Sequence, residues 1–397
     1  MADNKDKKVL NVPVLRFPEF TEEWKRIRVS DLLDFYSTNS LSWEQLEYES
    51  NEPYNLHYGL IHVGLPTLVD LTKDKLPSIK EENVPKKYEL CKEGDVAFAD
   101  ASEDTNEVAK VVEFYNLDGK KVVCGLHTIH GRDNNKQTAK GFLGYCFSST
   151  VFHNQIRRIA QGTKIYSINT RNFSEVFVGL PSKSEQHKIA TLLRLIDEHI
   201  STQNKIIEDL KKLKSAIYQE IFGSLVAQTL ELGQVAEIIK GKQVNGTELL
   251  EQGEYYVMNG GTTPSGWLNR YNTEANTISI SEGGNSCGYV QYNTSRYWSG
   301  GHCYSLRILH PQETLDLYLY HFLKWQEDNI MALRIGSGLP NIQKKDLLRF
   351  PVILPVINKQ KSIISILSVI DAKMACDILL TEHYVIQKKY LLRKLFI

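Results

Sequence analysis

One pattern of apolar and polar positions is written twice along this chain. Positions 189, 193, 196, 200, 203, 207, 210, 214, 217 and 221 advance in alternating steps of four and three, and all except Gln203 and Lys214 are isoleucine or leucine. That spacing predicts a helix of about five heptads with one apolar stripe, roughly 55–60 Å long at about 1.5 Å per residue. The stripe returns at 363, 367, 370, 374, 377, 381, 384, 388, 391 and 395, interrupted by Asp377, Thr381 and Lys388. The predicted seam comprises Ile189, Leu193, Ile196, Ile200, Ile207 and Leu210 on the first helix. On the second it comprises Ile363, Leu367, Ile370, Met374, Tyr384 and Leu391. Leu192, Ile206, Leu213, Leu379, Leu380 and Ile386 widen both stripes, which suggests further partners along the helices. The plain alternative is an ordinary long core helix in each place. Two such helices at a fixed offset instead supply each other with a mate.

The repeat reaches beyond the helices. "LPSKSEQHKIATLLRLIDEH" from Leu180 and "PVINKQKSIISILSVIDAK" from Pro355 match at an offset of 174, pairing Pro181 with Pro355, Gln186 with Gln360 and Asp197 with Asp371. At the same offset Gly162 matches Gly336, Ile168 matches Ile342, Lys214 matches Lys388 and Phe222 matches Phe396. A second match, "IRVSDLLDF" from Ile27 with "LELGQVAEI" from Leu230, lies at an offset of 203. The chain is therefore two halves of one plan: a short opening strand, a divergent globular segment and a long helix.

The globular middles read as α+β. "KVVCGLHTI", "NTISIS", "CGYVQY" and "HCYSLRIL" cluster β-formers between turn residues. "GYCFSSTVFHNQIRRIA" (144–160) and "LYLYHFLKWQEDNIMAL" (317–333) carry helical apolar spacing, one in each half.

Composition changes this picture little. A chain of 397 residues with 42% hydrophobic and 24% charged residues is an ordinary globular protein, long enough for two cores. The charged start "MADNKDKKVLNV" is unlike a signal peptide, and no apolar run spans a membrane. Six scattered cysteines without a CxxC pair read as reduced, mostly buried thiols of a cytoplasmic protein. Zero net charge argues mildly against a nucleic-acid binder. Locally the balance differs, with +3 over 151–180 and +2 over 324–350.

A search for chemistry finds no active site. Gly119-Lys120 and Gly241-Lys242 lack the Ser or Thr of a P-loop, and no Asn-Pro-Pro or Asp-Pro-Pro tetrapeptide of an amino-methyltransferase occurs. His127 and His130 with His153, and Cys287 with His302 and Cys303, are the nearest metal-like sets, and both read as structural. No metal site is expected. The loop "SEGGNSCGY" (281–289) suits either a plain turn or an anion held on backbone amides.

Three stretches carry a family resemblance: the opening "PVLRFPEFTEEWKRIRVSDLLDF", the block "VGLPSKSEQHKIATLLRLIDEHI" with its degenerate second copy, and "YYVMNGGTTPSGWLNRYN" with the segments that follow it. Together they resemble the specificity subunits of type I restriction–modification enzymes over nearly the whole chain. The second copy departs in having Asn358-Lys359 where the first has Ser184-Glu185. The resemblance implies two α/β target recognition domains joined by two long antiparallel coiled-coil helices, with a pseudo-two-fold internal repeat. The implied boundaries are a flexible leader (1–16), a first recognition domain (17–180), a first helical spacer (181–224), a second domain (225–354) and a second spacer (355–397). It further implies a non-catalytic reader of bipartite double-stranded DNA, docking two methyltransferase subunits and two restriction subunits. S-adenosylmethionine, ATP and Mg would then belong to those partners, with no cofactor in this chain.

Candidate DNA contacts follow from residue type. Arg157, Arg158, Lys164, Arg334 and Lys344 suit phosphates, which position a reader without informing it. Lys110, His127, Thr128 and Arg132 in the first half, and Asn259, Thr262, Thr263, Asn285 and Ser286 in the second, have the groups that read base edges. The competing readings are a metal-dependent single-chain nuclease built near His127 and a structural coiled-coil adaptor.

Overall fold

The computed structural model describes residues 10–48, 52–336 and 338–397. The chain divides into two compact units: Met1–Gln203 with Leu380–Ile397, and Asn204–Leu379. Each unit holds a mixed α/β head, the start of one long helix and the end of the other. The long helices are Lys183–Gly223 and Ile357–Lys394. Among the described residues, no helix is long and apolar enough to cross a membrane.

In the first unit the opening strand Lys25–Arg28 pairs antiparallel with Phe177–Leu180, which leads into the first long helix. The head is inserted between these two strands. Its central sheet runs, edge to edge, Asp34–Tyr36, Thr128–Arg132, Val96–Ala99, Val111–Asn116 and Leu68–Asp70. The strand "VAFA" at 96–99 is buried at every position because both its faces are covered. A second sheet orders Val122–Cys124, Tyr54–Leu56, Ser78–Ile79 and Leu46–Glu47.

The second unit repeats the frame. Gln228–Glu231 pairs with Pro351–Leu354 in the same antiparallel register that joins 25–28 to 177–180. Its main sheet orders Ala236–Lys240, Cys303–Ile308, Thr277–Ser281 and Val290–Asn293, all antiparallel. A smaller sheet sets Tyr255–Met258 between Trp267–Leu268 and Trp298–Ser299.

The helix expected over 144–160 is two helices, Phe142–Phe147 and Thr150–Ile159. Ser149 breaks the run, because its Oγ accepts the amide of Phe152 and starts a new N-terminus. The helix expected over 317–333 likewise breaks at Gln326 into Asp316–Trp325 and Glu327–Met331.

A buried glutamine anchors each head to its helix. Gln186 donates to the carbonyls of Pro181 (2.9 Å) and Gln137 (3.3 Å) and accepts the Ala139 amide at 2.7 Å. Gln360 donates to Pro355 (2.8 Å) and Glu313 (2.7 Å) and accepts the Leu315 amide at 2.9 Å. The same three-bond clamp is built twice. A second recurrent bond ties the helices within each unit: Lys388 to Asp197 at 2.6 Å in the first, Lys214 to Asp371 in the second. These are the residues that interrupted the apolar stripe or closed the matched blocks. In the first unit His199 also stacks on Tyr384 at 5.4 Å, so the start of the first helix runs against the end of the second in opposite directions.

Of the seam residues, Ile189, Leu193, Ile196, Ile207, Ile363, Leu367, Ile370 and Leu391 are buried. Ile200, Leu210, Met374 and Tyr384 are half-buried.

Residues 1–9 of the expected leader lie outside the described residues. Residues 10–16, grouped above with a flexible leader, are fastened instead. The Leu15 amide donates to the Lys394 carbonyl at 3.0 Å. Arg16 makes two 2.8 Å bonds to the buried carboxylate of Glu185, which also accepts from the Trp24 indole. Lys359 occupies the matching place in the second half, so this lock exists once.

His321 lies buried with Tyr218 Oη 2.9 Å from its Nδ1 and Asp371 3.8 Å from its Nε2. Burial first, then the charge of Lys214, push its pKa down from 6.5 to about 4. A base with a depressed folded pKa gains a proton on unfolding. Stability of the second unit should therefore fall as pH drops from 6.5 towards 4, by at most ~3 kcal/mol at ~1.4 kcal/mol per unit. Calorimetric melting across that range should show the loss, and His321→Gln should flatten it; parallel curves for the two proteins would refute the assignment.

Candidate nucleic-acid interface

The two heads end in the same backbone construction. In the first, Gln161 and Ser167 exchange amide–carbonyl bonds of 2.9 and 2.8 Å and close a hairpin that turns at Gly162, where φ is 133°. In the second, Ile335 and Asn341 exchange bonds of 2.9 and 3.0 Å, with Gly336 at φ 100°. A Cβ on Gly162 would stand 1.9 Å from the Ile165 carbonyl oxygen, so that turn requires glycine.

Each hairpin is fixed to an acidic residue at the end of a central strand. The amide of Ile168 donates to Asp100 O, and that of Ile342 to Glu282 O, both at 2.9 Å. The Asp100 amide in turn donates to His127 O at 3.1 Å, and the Glu282 amide to His302 O at 2.9 Å. An exposed histidine therefore sits beside an acidic residue and a glycine hairpin in both heads. His127 holds φ at 54°, a left-handed conformation uncommon outside glycine, and its Nδ1 lies 3.1 Å from the Asp100 carboxylate. Burial raises the pKa of Asp100, an effect that His127 opposes. A left-handed backbone at a residue other than glycine costs about 1–3 kcal/mol, and such residues cluster at functional sites.

Several expected contact residues converge here. Lys110 and His127 line one cavity of about 680 Å³ with Tyr58, His62 and Ile165. Arg157 reaches the adjacent loop by donating to Asn106 at 2.6 Å. Lys164 is exposed on the hairpin itself, and Arg158 is exposed at the end of its helix. Lys110 is already partnered, by His62 O at 3.0 Å and Glu107 at 2.7 Å. In the second head Asn259 accepts the His302 amide at 3.1 Å, and Ser281 bonds the carbonyl of Gly260. These bonds bring the loop carrying Thr262 and Thr263, both exposed, to the same end as Asn285 and Ser286. The Gly284 amide donates to Pro340 O at 3.0 Å, which ties that loop to the hairpin, and Arg334 is exposed at the hairpin's foot. Lys344 is exposed on the short helix that follows.

Two expectations are corrected. Thr128 is buried and spends its hydroxyl on Gly125 O at 2.5 Å. Arg132 is buried too, with two 2.8 Å bonds to Asp95, one of 2.7 Å to Glu89 and another of 2.7 Å to Leu90 O. Both lie in a strand covered on each face and have no group left for a base. The metal-like sets around His127 and around Cys287 do not assemble among the described residues. In the loop at 281–289 the amides of Cys287, Gly288 and Tyr289 are bonded internally, as in a turn, and that of Gly284 is taken by Pro340 O.

Sequence reasoning missed three residues. His302 was considered only as a metal ligand, although "GLH" at 125–127 and "GGH" at 300–302 align it with His127. Ile165 and Leu339 protrude from the two hairpins, 61% and 85% exposed, at the repeat offset of 174. Apolar tips of this kind have the chemistry to meet a thymine methyl or a base step.

Comparison with known proteins agrees with the duplicated plan. The family model of the type I restriction modification DNA specificity domain matches twice, over residues 21–212 and 227–378. A putative type I specificity subunit of Mycoplasma pneumoniae is 38% identical over 144 residues, 36% of this chain and 38% of that protein. A putative type I restriction enzyme specificity subunit of Methanocaldococcus jannaschii is 23% identical over 391 residues, covering 89% of this chain and 88% of its own. The first of these alignments thus spans well under half of its relative's length. Among solved structures, a type I restriction–modification S subunit from M. genitalium has the same fold, with TM-score 0.65 and 20% identity over 97% of this chain and 99% of its own. A chain from a type I restriction–modification complex has TM-score 0.56 and 16% identity, over 93% of this chain and 96% of its own. The protein is a two-domain α/β chain of the kind that serves DNA specificity. It belongs to the type I restriction modification DNA specificity family.

Arg158 and Lys164 are expected to hold phosphates. A double alanine variant in the assembled complex should bind all duplexes more weakly and lower the log–log salt slope by about 1–2. Anisotropy titrations at several salt concentrations measure this. A changed target sequence with an unchanged slope would make them base readers instead.

Proposed function

We propose that this chain is the DNA-reading subunit of a type I restriction–modification complex, each head reading one half of a bipartite target. The observation carrying this reading is the recurrence, in two divergent heads, of one apex: glycine hairpin, protruding apolar tip, acidic strand end and exposed histidine. Duplicated scaffolds with different loops suit two different half-sites of fixed spacing. Base readout falls to Lys110, His127 and Ile165 in the first head, and to Asn259, Thr262, Thr263, Asn285, Ser286, His302 and Leu339 in the second. Phosphate contact falls to Arg157, Arg158, Lys164, Arg334 and Lys344.

In this reading the long helices form an antiparallel coiled-coil spacer and also the docking rail for two methyltransferase subunits, with two restriction subunits completing the complex. Support comes from apolar side chains left exposed along both helices: Leu195, Leu213, Ile366, Val369, Leu379 and Ile386 are each at least 44% exposed. Surface of that kind on a helix commonly marks a partner. Catalysis, S-adenosylmethionine, ATP and Mg belong to those partners.

Replacing residues 30–160 with the first head of another family member should change one half-site of the methylation motif. Methylome sequencing of cells expressing the hybrid with its methyltransferase reads the outcome, and a change in both half-sites would sink the two-reader model. A second test lengthens the spacer by four residues near Gln203 and four near Asp377. About 6 Å is added to each helix, roughly two base pairs at about 3.4 Å each. The unread gap should grow by one or two base pairs with both half-sites kept; methylation only at the original spacing would exclude the helices as ruler.

A further inference from the structure

Three donor groups meet inside the first head, where no role in reading DNA reaches them. Cys91 Sγ and Cys124 Sγ lie 3.5 Å apart, and one donor atom from each of Cys91, Cys124 and His130 falls within a 4.8 Å cluster. Their exposures are 6%, 2% and 0%. The three come from separate pieces of the head: Cys91 from a loop, Cys124 from the second sheet and His130 from the central sheet.

We infer that Cys91, Cys124 and His130 form a three-donor binding site for a thiophilic d10 cation, zinc above all, with a water from the cavity beside Cys124 completing the tetrahedron. Two thiolates and an imidazole are a donor set that favours such ions over calcium or magnesium. His130 Nε2 is held by the Asp95 carboxylate at 2.7 Å, while Nδ1 is buried without a hydrogen-bond partner. A carboxylate on one ring nitrogen orients the other towards a metal, as in carboxylate–histidine–zinc arrangements. Asp95 is itself fixed by Arg132 through two 2.8 Å bonds, so the ring has a supported second layer. Arg132, discarded above as a reader, is thereby given a purpose.

Spacing favours the same answer. Two sulfurs each about 2.3 Å from a tetrahedral zinc stand about 3.8 Å apart, whereas a disulfide needs about 2.05 Å. The observed 3.5 Å is close to the first and far from the second. Charge also balances. Zinc with two thiolates is neutral, and the Asp95–Arg132 pair is neutral, so loading adds no net charge to the interior. Loading releases the two thiol protons to solvent. A cavity of about 280 Å³ bordered by Asn39, Tyr88 and Glu89 reaches Cys124 and gives a route for the ion. Bound there, the cation would staple the two sheets of the first head just below the loop that presents His127.

The test uses the full chain carrying Cys376→Ser, which removes the exposed cysteine. Dialysed against Co²⁺ under reducing conditions and then freed of excess metal, it should retain about one equivalent. A sulfur-to-cobalt charge-transfer band and tetrahedral d–d bands should appear, and equimolar Zn²⁺ should displace both. Cys124→Ser should abolish the charge-transfer band or sharply weaken it, while Cys146→Ser leaves it intact. Because a variant in the core could unfold, the spectrum of the Cys376→Ser protein itself is decisive. Absence of the band in that folded protein, or its persistence in a Cys91→Ser/Cys124→Ser double variant, would overturn the site.

Discussion

The architecture depends on the amide of one glutamine at the first turn of each long helix. A head inserted between two strands is free to pivot unless something fixes it to the helix that follows. Gln186 and Gln360 do this with backbone partners alone, taking two carbonyls and one amide apiece. Backbone recognition is indifferent to the side chains of the loops it grips. The loops can therefore diverge while the mounting stays the same. A buried glutamine whose amide is satisfied costs little, whereas an apolar replacement would leave buried backbone groups unpaired at ~1–3 kcal/mol each.

The frame was readable from the chain because it obeys two periodicities. The four-and-three spacing of Ile189, Leu193 and Ile196 specifies a helix whatever surrounds it, and its recurrence at Ile363, Leu367 and Ile370 specifies a duplication. The two opening strands were also legible as a weak match at a second offset. The interruptions were harder. Lys214 and Lys388 looked like flaws in a stripe, and only the fold shows them reaching Asp371 and Asp197. Their partners stand more than 150 positions away, beyond any local pattern.

The candidate interface was legible by residue type and obscure by exposure. Lys164, Thr262 and Asn285 sit in turn-rich polar stretches, and such stretches remain at the surface. Thr128 and Arg132 lie in "TIHGR", read correctly as β-structure from "CGLHTI", but strand pattern alone does not reveal that a sheet is covered on both faces. Arg132 is buried only because Asp95 and Glu89, about 40 residues earlier, are there to meet it. His302 escapes notice because the repeat does not extend through the loops at 125–127 and 300–302, whereas Ile165 and Leu339 lie inside the matched blocks but, being apolar, carry none of the polar groups by which base readers are recognised.

The segment before the opening strand bears on how each unit is joined. In the second unit the first long helix ends at Gly223 and passes almost at once into the strand Gln228–Glu231. In the first unit the second long helix ends at Lys394, and the matching strand, Lys25–Arg28, is preceded by a segment whose Leu15 amide is bonded to that same Lys394. Helix end therefore adjoins strand start in both places, once through a covalent link and once through a hydrogen bond. Arg16 and Glu185 hold the segment before the first of these strands in place, whereas in the other unit the peptide chain itself makes the join.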